Sequence, residues 1–205
     1  MKAWYDIKKG VPGLRLAVPA DEDQIFGLLL MLHGENGHFT MNHNKVIDGI
    51  RIGTNREGGL IFVNEGPRIV ASLAVVLTQD WYSDDVYLLE RWNYVHPDYR
   101  RTDYARKLVE QAKWCAENFS RIHGRNLVLQ VGITSCIRTE AKVRLYARHM
   151  ACIGAYFMYG EPPVQAAAEK IRAEMAAIDE LNERNQRPTP IRPVVETIIR
   201  LSRSA

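Results

Sequence analysis

A strand, a basic turn and an amphipathic helix follow one another without a break between Asp84 and Ala116. No other stretch constrains the fold as strongly. Asp85 to Val95 is dense in aromatic and branched residues, and His96-Pro97-Asp98 ends it as a turn. Beyond Tyr99-Arg100-Arg101-Thr102-Asp103-Tyr104, the residues Ala105, Leu108, Val109, Ala112, Cys115, Ala116 and Phe119 recur at three- and four-residue steps. That spacing predicts a helix with one apolar face. Thr102 or Asp103 can cap it, because a short side-chain oxygen accepts from the free amides of the first turn. Those amides sit at the positive end of the helix dipole. With Arg100 and Arg101 on the approach, the turn reads as a cradle for a pyrophosphate; a solvated basic turn is the plainer alternative.

The flanking segments supply the remainder of a sheet. Leu14 to Val18 alternates at period two and predicts a first strand, with Asp21 placed to cap a helix over Gln24 to Leu32. A glycine-containing polar loop over His33 to Phe39 follows, and Asn42 or Asn44 caps a second helix carrying Val46, Ile47 and Ile50. Leu60 to Val63 and Ile69 to Leu77 are strands joined by Asn64-Glu65-Gly66-Pro67, a turn signal that makes them an antiparallel hairpin. Asp80 to Asp84 is another turn. Leu127 to Val131 follows the central helix, so the strand, helix, strand order implies a parallel pair with a right-handed crossover. A helix is predicted over Thr139 to Arg148 and a last strand over Ile153 to Tyr159. The expected class is α/β (α+β): a mixed sheet, antiparallel in its N-terminal half, flanked by helices.

The turn and the later helix resemble a known family. Val95-His96-Pro97-Asp98-Tyr99-Arg100-Arg101-Thr102-Asp103-Tyr104-Ala105 looks like the acetyl-CoA loop of the GNAT superfamily of N-acetyltransferases, written Val-x-Pro-x-Tyr-Arg/Gln-x-x-Gly-x-Gly/Ala. Asp103 stands where the first glycine is expected. Thr139 to Arg148 resembles the segment Asn-x-x-Ala-x-x-Leu-Tyr-x-Lys with its Leu145-Tyr146 pair intact, although Thr139, Lys142 and Arg148 depart from it. The resemblance covers roughly residues 14 to 160. It implies a GNAT-like sheet whose parallel pair splays apart, with acetyl-CoA as co-substrate and its pantetheine arm in the gap. Main-chain groups of Trp92, Tyr94 and Val95 would meet that arm. Arg100, Arg101, Thr102, Asp103, Tyr104 and Ala105 would form the cofactor turn.

Acetyl transfer to an amine needs a neutral amine, a polarised thioester and a proton donor for the leaving thiolate. Glu90 is the one carboxylate inside the apolar central strand, and the resemblance places a glutamate base about there. A solvent-facing glutamate paired with Arg91 or a cross-strand arginine is the competing reading. Tyr146 is the candidate general acid, since an ordinary phenol pKa near ~10 keeps the proton until a thiolate calls for it; a core tyrosine is the alternative. The resemblance also makes His33, Glu35 and His38 candidate substrate-binding residues, because the loop after the first helix borders the acceptor site in this family. The spacing of His33, His38 and His43 fits no recognised metal-ligand pattern, so no metal is expected.

Composition narrows the setting. The 205 residues are 46% hydrophobic and 25% charged, ordinary for a chain that buries one sizeable core. A net charge of +3 makes no electrostatic case for nucleic acid. Cys115, Cys136 and Cys152 are too widely spaced for a redox or metal motif, and Cys115 reads as a reduced core thiol. Met1 to Gly13 lacks the apolar core of a signal peptide, and no run reaches the roughly 18 apolar residues of a membrane span. A cytoplasmic protein without membrane attachment is expected. Residues 1–160 form the expected GNAT-like domain and 161–205 a helical extension, whose apolar stripe over Val164, Ala168, Ile171, Met175 and Ile178 packs on the domain or makes a homodimer. Two functional classes fit: an acetyl-CoA-dependent N-acetyltransferase acting on a small-molecule or protein amine by direct transfer, or a catalytically inactive GNAT-fold module for acyl-CoA binding or assembly.

Overall fold

Leu60-Ile61-Phe62-Val63 has no polar alternation, and a strand of that kind needs cover on both faces. The computed structural model of the chain, which describes residues 10–36, 39–124, 126–133 and 138–152, provides it. Strand β2 (Gly59–Asn64) is buried at all six positions. It lies between β1 (Leu14–Leu16) and β3 (Ala71–Gln79), followed by β4 (Val86–Val95) and β5 (Leu129–Gln130) in the order β1-β2-β3-β4-β5. The first three pairings are antiparallel and the last is parallel, the mixed sheet expected.

Each face carries its own core. Leu60, Phe62, Leu73, Val75 and Leu88 pack against Leu108, Ala112 and Cys115 of α3 (Tyr104–His123). On the other face Ile61, Val63 and Ala74 meet Ile25, Phe26 and Leu29 of α1 (Glu22–Asn36) and Ile50 of α2 (His43–Thr54). Full burial of each such side chain is worth about 1.5–3 kcal/mol, so period-two and period-3.6 patterning decides the layers. Cys115 is fully buried, and burial pushes its thiol up to about 12. It is an inert core group, as expected.

The hairpin turn is held from below by Asn64, only 2% exposed. Its side chain accepts from the Val70 and Ala71 amides (2.7 and 3.0 Å) and donates to the Glu65 and Arg68 carbonyls (3.0 and 2.8 Å). Asn42 caps α2 through Lys45 N (3.1 Å), one of the two caps foreseen. Asp21 behaves otherwise. It closes a 3-10 turn, Pro19–Asp21, where its carboxylate accepts from Val18 N (2.9 Å) and from both Arg15 terminal nitrogens (2.6 and 2.9 Å).

Two elements depart most from their predicted bounds, and one predicted cap bond is absent. Helix α1 runs four residues past Leu32 to Asn36, so His33 and Glu35 lie on its last turn and not in a loop. Gly34 disfavours a helix by only about 1 kcal/mol, and contacts made by Glu35, described below, hold the added turn. Strand β5 is two residues long, shorter than the strand expected over Leu127 to Val131, although the Val128 carbonyl also accepts from Leu88 N (2.8 Å). Asp103 stands at the α3 N-cap position without a side-chain cap bond. His38, Cys136, the strand expected from Ile153 and the extension over 161–205 with its possible dimer stripe lie outside the described residues.

Candidate active site

Strand β4 contains the irregularity that builds the site. Its register with β3 pairs Leu73 with Asn93, Ala74 with Trp92, and Val75 with Glu90, so Arg91 is an extra residue without a partner. In a regular strand Glu90 and Asn93, three apart, would point to opposite faces. The bulge restores them to one face, that of Leu73 and Val75. Pairing with β5 stops at Leu89, so among the described residues no strand covers Glu90 to Val95 on the edge away from β3. The parallel pair therefore parts at Glu90.

Helix α4 (Thr139–Ala147) brings Tyr146 to this opening. Its hydroxyl lies 2.7 and 2.9 Å from the two Glu90 carboxylate oxygens and donates to that group. Asn93 Nδ2 donates to the same hydroxyl oxygen at 3.1 Å and reaches Glu90 Oε2 at 3.4 Å. No cation pairs with Glu90 among the described residues. Burial accordingly raises its carboxyl to about 7, against the opposing pull of the Tyr146 and Asn93 hydrogen bonds. Burial and the Glu90 charge raise the Tyr146 phenol well above its ordinary value. A cleft of about 80 Å³ opens beside the pair, lined by Leu32, Asn36, Arg91, Trp92 and Lys142 among others. A water needs about 10–15 Å³, so the cleft takes several waters or the end of an extended amine.

The predicted cofactor turn forms a 3-10 turn, Pro97–Tyr99, running into α3. Thr102 Oγ1 donates to the Tyr99 carbonyl (2.7 Å) and lies 3.4 Å from the Tyr104 amide. The Ala105 and Arg106 amides have no acceptor among the described residues. Asp103 turns its carboxylate along the helix, toward Arg106 (3.3 Å) and Lys107 (3.2 Å), and these two cations offset its charge where glycine was expected. Arg101 is exposed and makes no ion pair among the described residues. These features fit an anion at the turn.

Arg100 does not join them. Its guanidinium turns inward to the Glu35 carboxylate and reaches Tyr94 Oη (3.3 Å) and the Val95 carbonyl (3.2 Å). Tyr94 donates to Glu35 at 2.7 Å, and the guanidinium lies 5.4 Å from its ring centre. Of the candidate acceptor residues, Glu35 is thus spent on an ion pair, while His33 bonds through Nε2 to the Phe39 carbonyl (2.7 Å). The α1 residues lining the cleft are Leu32 and Asn36, one turn apart. Trp92 packs into the α1/α2 face, its indole N–H on Ser72 Oγ (3.1 Å). Sequence reasoning missed Asn36, Arg91, Asn93 and Lys142. Only Asn93 left a trace, as an asparagine inside a strand where that residue is disfavoured.

Among the described residues, no group of three or more His, Cys, Asp or Glu is placed to hold a metal. No helix there is long and apolar enough to cross a membrane. No family model and no curated protein matches the sequence. Solved structures do match the fold. A probable acetyltransferase superimposes with a TM-score of 0.55 at 15% identity, covering 73% of this chain and 96% of its own. Aminoglycoside 6'-N-acetyltransferase AAC(6')-IG from Acinetobacter haemolyticus gives 0.52 at 12%, covering 72% and 97%. AAC(6')-Iy, solved with a bisubstrate analogue of CoA and acetylneamine, gives 0.54 at 11%, covering 72% and 96%. These acetyltransferases share the fold of this chain, the GNAT-like architecture that the turn and the Leu-Tyr helix resemble.

Proposed function

We propose that the protein transfers an acetyl group from acetyl-CoA to a primary amine, directly between the two bound substrates. The observation that carries this reading is the Tyr146 hydroxyl on the Glu90 carboxylate at the point where β4 and β5 part. Arg101, Thr102 and the free Ala105 and Arg106 amides are the groups available to the cofactor's pyrophosphate, and the open edge of β4 at Trp92, Tyr94 and Val95 is available to its pantetheine arm.

Glu90 is the base. A carboxyl poised near neutrality matches its strength to a proton taken at physiological pH. As nitrogen attacks the thioester carbonyl, Glu90 removes a proton from it. A protonated Glu90 is a weaker acceptor for the Tyr146 hydroxyl, so the phenol proton is released to the departing sulfur. Glu90, 2.7–2.9 Å away, then returns its proton to the phenolate oxygen, which Asn93 steadies by its N–H. The net change moves one proton from nitrogen to sulfur and leaves both side chains as they began.

Thiol release from acetyl-CoA with a panel of amines tests the reading. The kcat/KM profile should fall below a limb near pH 7, because Glu90 must be ionised to act. Glu90→Gln should remove the limb together with most of the rate, by roughly 10²–10⁴. A limb that persists in Glu90→Gln overturns the assignment.

A further inference from the structure

The charges around the cleft point to the kind of amine it takes. Arg91 is the bulged residue, on the cleft wall and exposed. Its guanidinium lies against α2, where Nη1 would stand 3.6 Å from a Cβ at Gly49. It has no ion pair or hydrogen bond among the described residues. Lys142, on the α4 wall, is a second cation, half-withdrawn from water, which lowers its pKa. It feels Glu35 and, opposing that, Arg100 and Arg138. Glu35 itself is held by Arg100 and Tyr94. The remaining carboxylate, Glu90, faces the reacting nitrogen in the reading above. Arg91 thus brings an unpaired positive charge to the wall of a cleft whose base is Glu90, a poor receptor for a polycation.

We infer that Arg91 forms an anion subsite, and that the acceptor is an amine carrying its own carboxylate within a few bonds of the nitrogen. The inference rests on the proposed acetyl transfer and deepens it by naming the substrate class. The bulge takes Arg91 out of the ladder, so it has no cross-strand neighbour and its guanidinium reaches toward α2. A bidentate guanidinium is suited to a planar carboxylate.

Matched acceptors test it: free amino acids, their carboxamides and a polycationic aminoglycoside, each assayed by thiol release. The acids should exceed their amides in kcat/KM by about tenfold or more, the worth of one charge-assisted hydrogen bond. Arg91→Met should erase that ratio by raising KM for the acids, and Arg91→Lys should retain part of it. Amides or the aminoglycoside turning over as well as the acids would overturn the inference, as would an unchanged ratio in Arg91→Met. Thermal shift with N-acetyl amino acids separates this inference from the catalytic reading. Stabilisation of the parent but not of Arg91→Met, with no turnover of any acceptor, keeps the subsite and removes the catalysis. Neither stabilisation nor turnover removes both.

Discussion

Among the described residues, two glutamates each receive a tyrosine hydroxyl, and they differ by one arginine. Glu35 takes Tyr94 Oη at 2.7 Å and also the Arg100 guanidinium. Glu90 takes Tyr146 Oη at 2.7 Å and has Asn93 in place of a cation. An amide can orient a carboxylate but cannot neutralise it. Glu35 therefore becomes half of an ion pair that ties the end of α1 to the turn before α3, while Glu90 is left with a carboxyl raised to about 7. In the proposed mechanism the donor and acceptor that make a strut in one place handle protons in the other. A compensating charge decides between them.

Removing the two phenol hydroxyls should break this pairing most visibly. Tyr146→Phe keeps the ring and its packing but deletes the proton offered to sulfur, so turnover should fall by roughly 10²–10⁴ with acetyl-CoA affinity little changed. Tyr94→Phe deletes one hydrogen bond of a strut that retains its ion pair, worth about 1 kcal/mol of stability. Steady-state kinetics and melting on the two variants should therefore give opposite patterns. Equal losses of turnover would dissolve the distinction.

Neutralising the carboxylates should shift stability in opposite directions above neutrality. Glu35→Gln leaves Arg100, only 22% exposed, without its counter-charge. Breaking a buried pair costs about 3–5 kcal/mol, and partial exposure here reduces that to about 2 kcal/mol. Glu90 works the other way. Its folded pKa, about 7, lies above the ordinary 4.5, so the stability it lends is full below pH 4.5 and is lost as pH rises through 7. Glu90→Gln, neutral throughout, should be on the order of 2–3 kcal/mol more stable than the parent at pH 8 and nearly equal to it at pH 4. Denaturant melts at the two pH values measure this. A Glu90→Gln protein that gains nothing at high pH would mean that its carboxylate is not short of a counter-charge.

Little of that distinction is legible in the sequence. Periodicity marks the strands and helices because burial depends on which face a residue occupies, and the patterns around β2, β3 and α3 are unambiguous. Glu90 and Tyr146 could be picked out singly, one as a carboxylate in an apolar strand, the other through a resemblance. Their contact could not, since it depends on where β5 parts from β4. The Arg91 bulge is equally silent, because one extra residue changes parity without changing composition, and Asn93 joins the face of Glu90 because of it. Gly34 reads as a break in α1, yet the helix continues because Glu35 finds Arg100 some 65 residues later. Arg100 and Arg101 look interchangeable in a basic turn. Tertiary partners assign one inward and leave the other in solvent.

The smallest expected effect concerns that last pair. Arg101 is exposed and unpaired among the described residues beside the free Ala105 and Arg106 amides, so it is placed to meet a cofactor phosphate. Such a contact near the surface is screened and worth about 0.5–1 kcal/mol, a few-fold in affinity. Arg101→Ala should therefore weaken acetyl-CoA binding a few-fold in calorimetry and leave the melting temperature of the free protein unchanged. Arg100→Ala should do the reverse, lowering that melting temperature by uncovering Glu35. Any loss of cofactor affinity would follow from loosening of the turn and should be matched by Glu35→Gln, which leaves the arginine in place. If Arg100→Ala weakens binding more than Arg101→Ala while Glu35→Gln strengthens it, the Glu35 carboxylate competes with the cofactor for Arg100. Arg100 would then be a phosphate ligand held in reserve, and the first of the two glutamates a gate where a strut is assigned here.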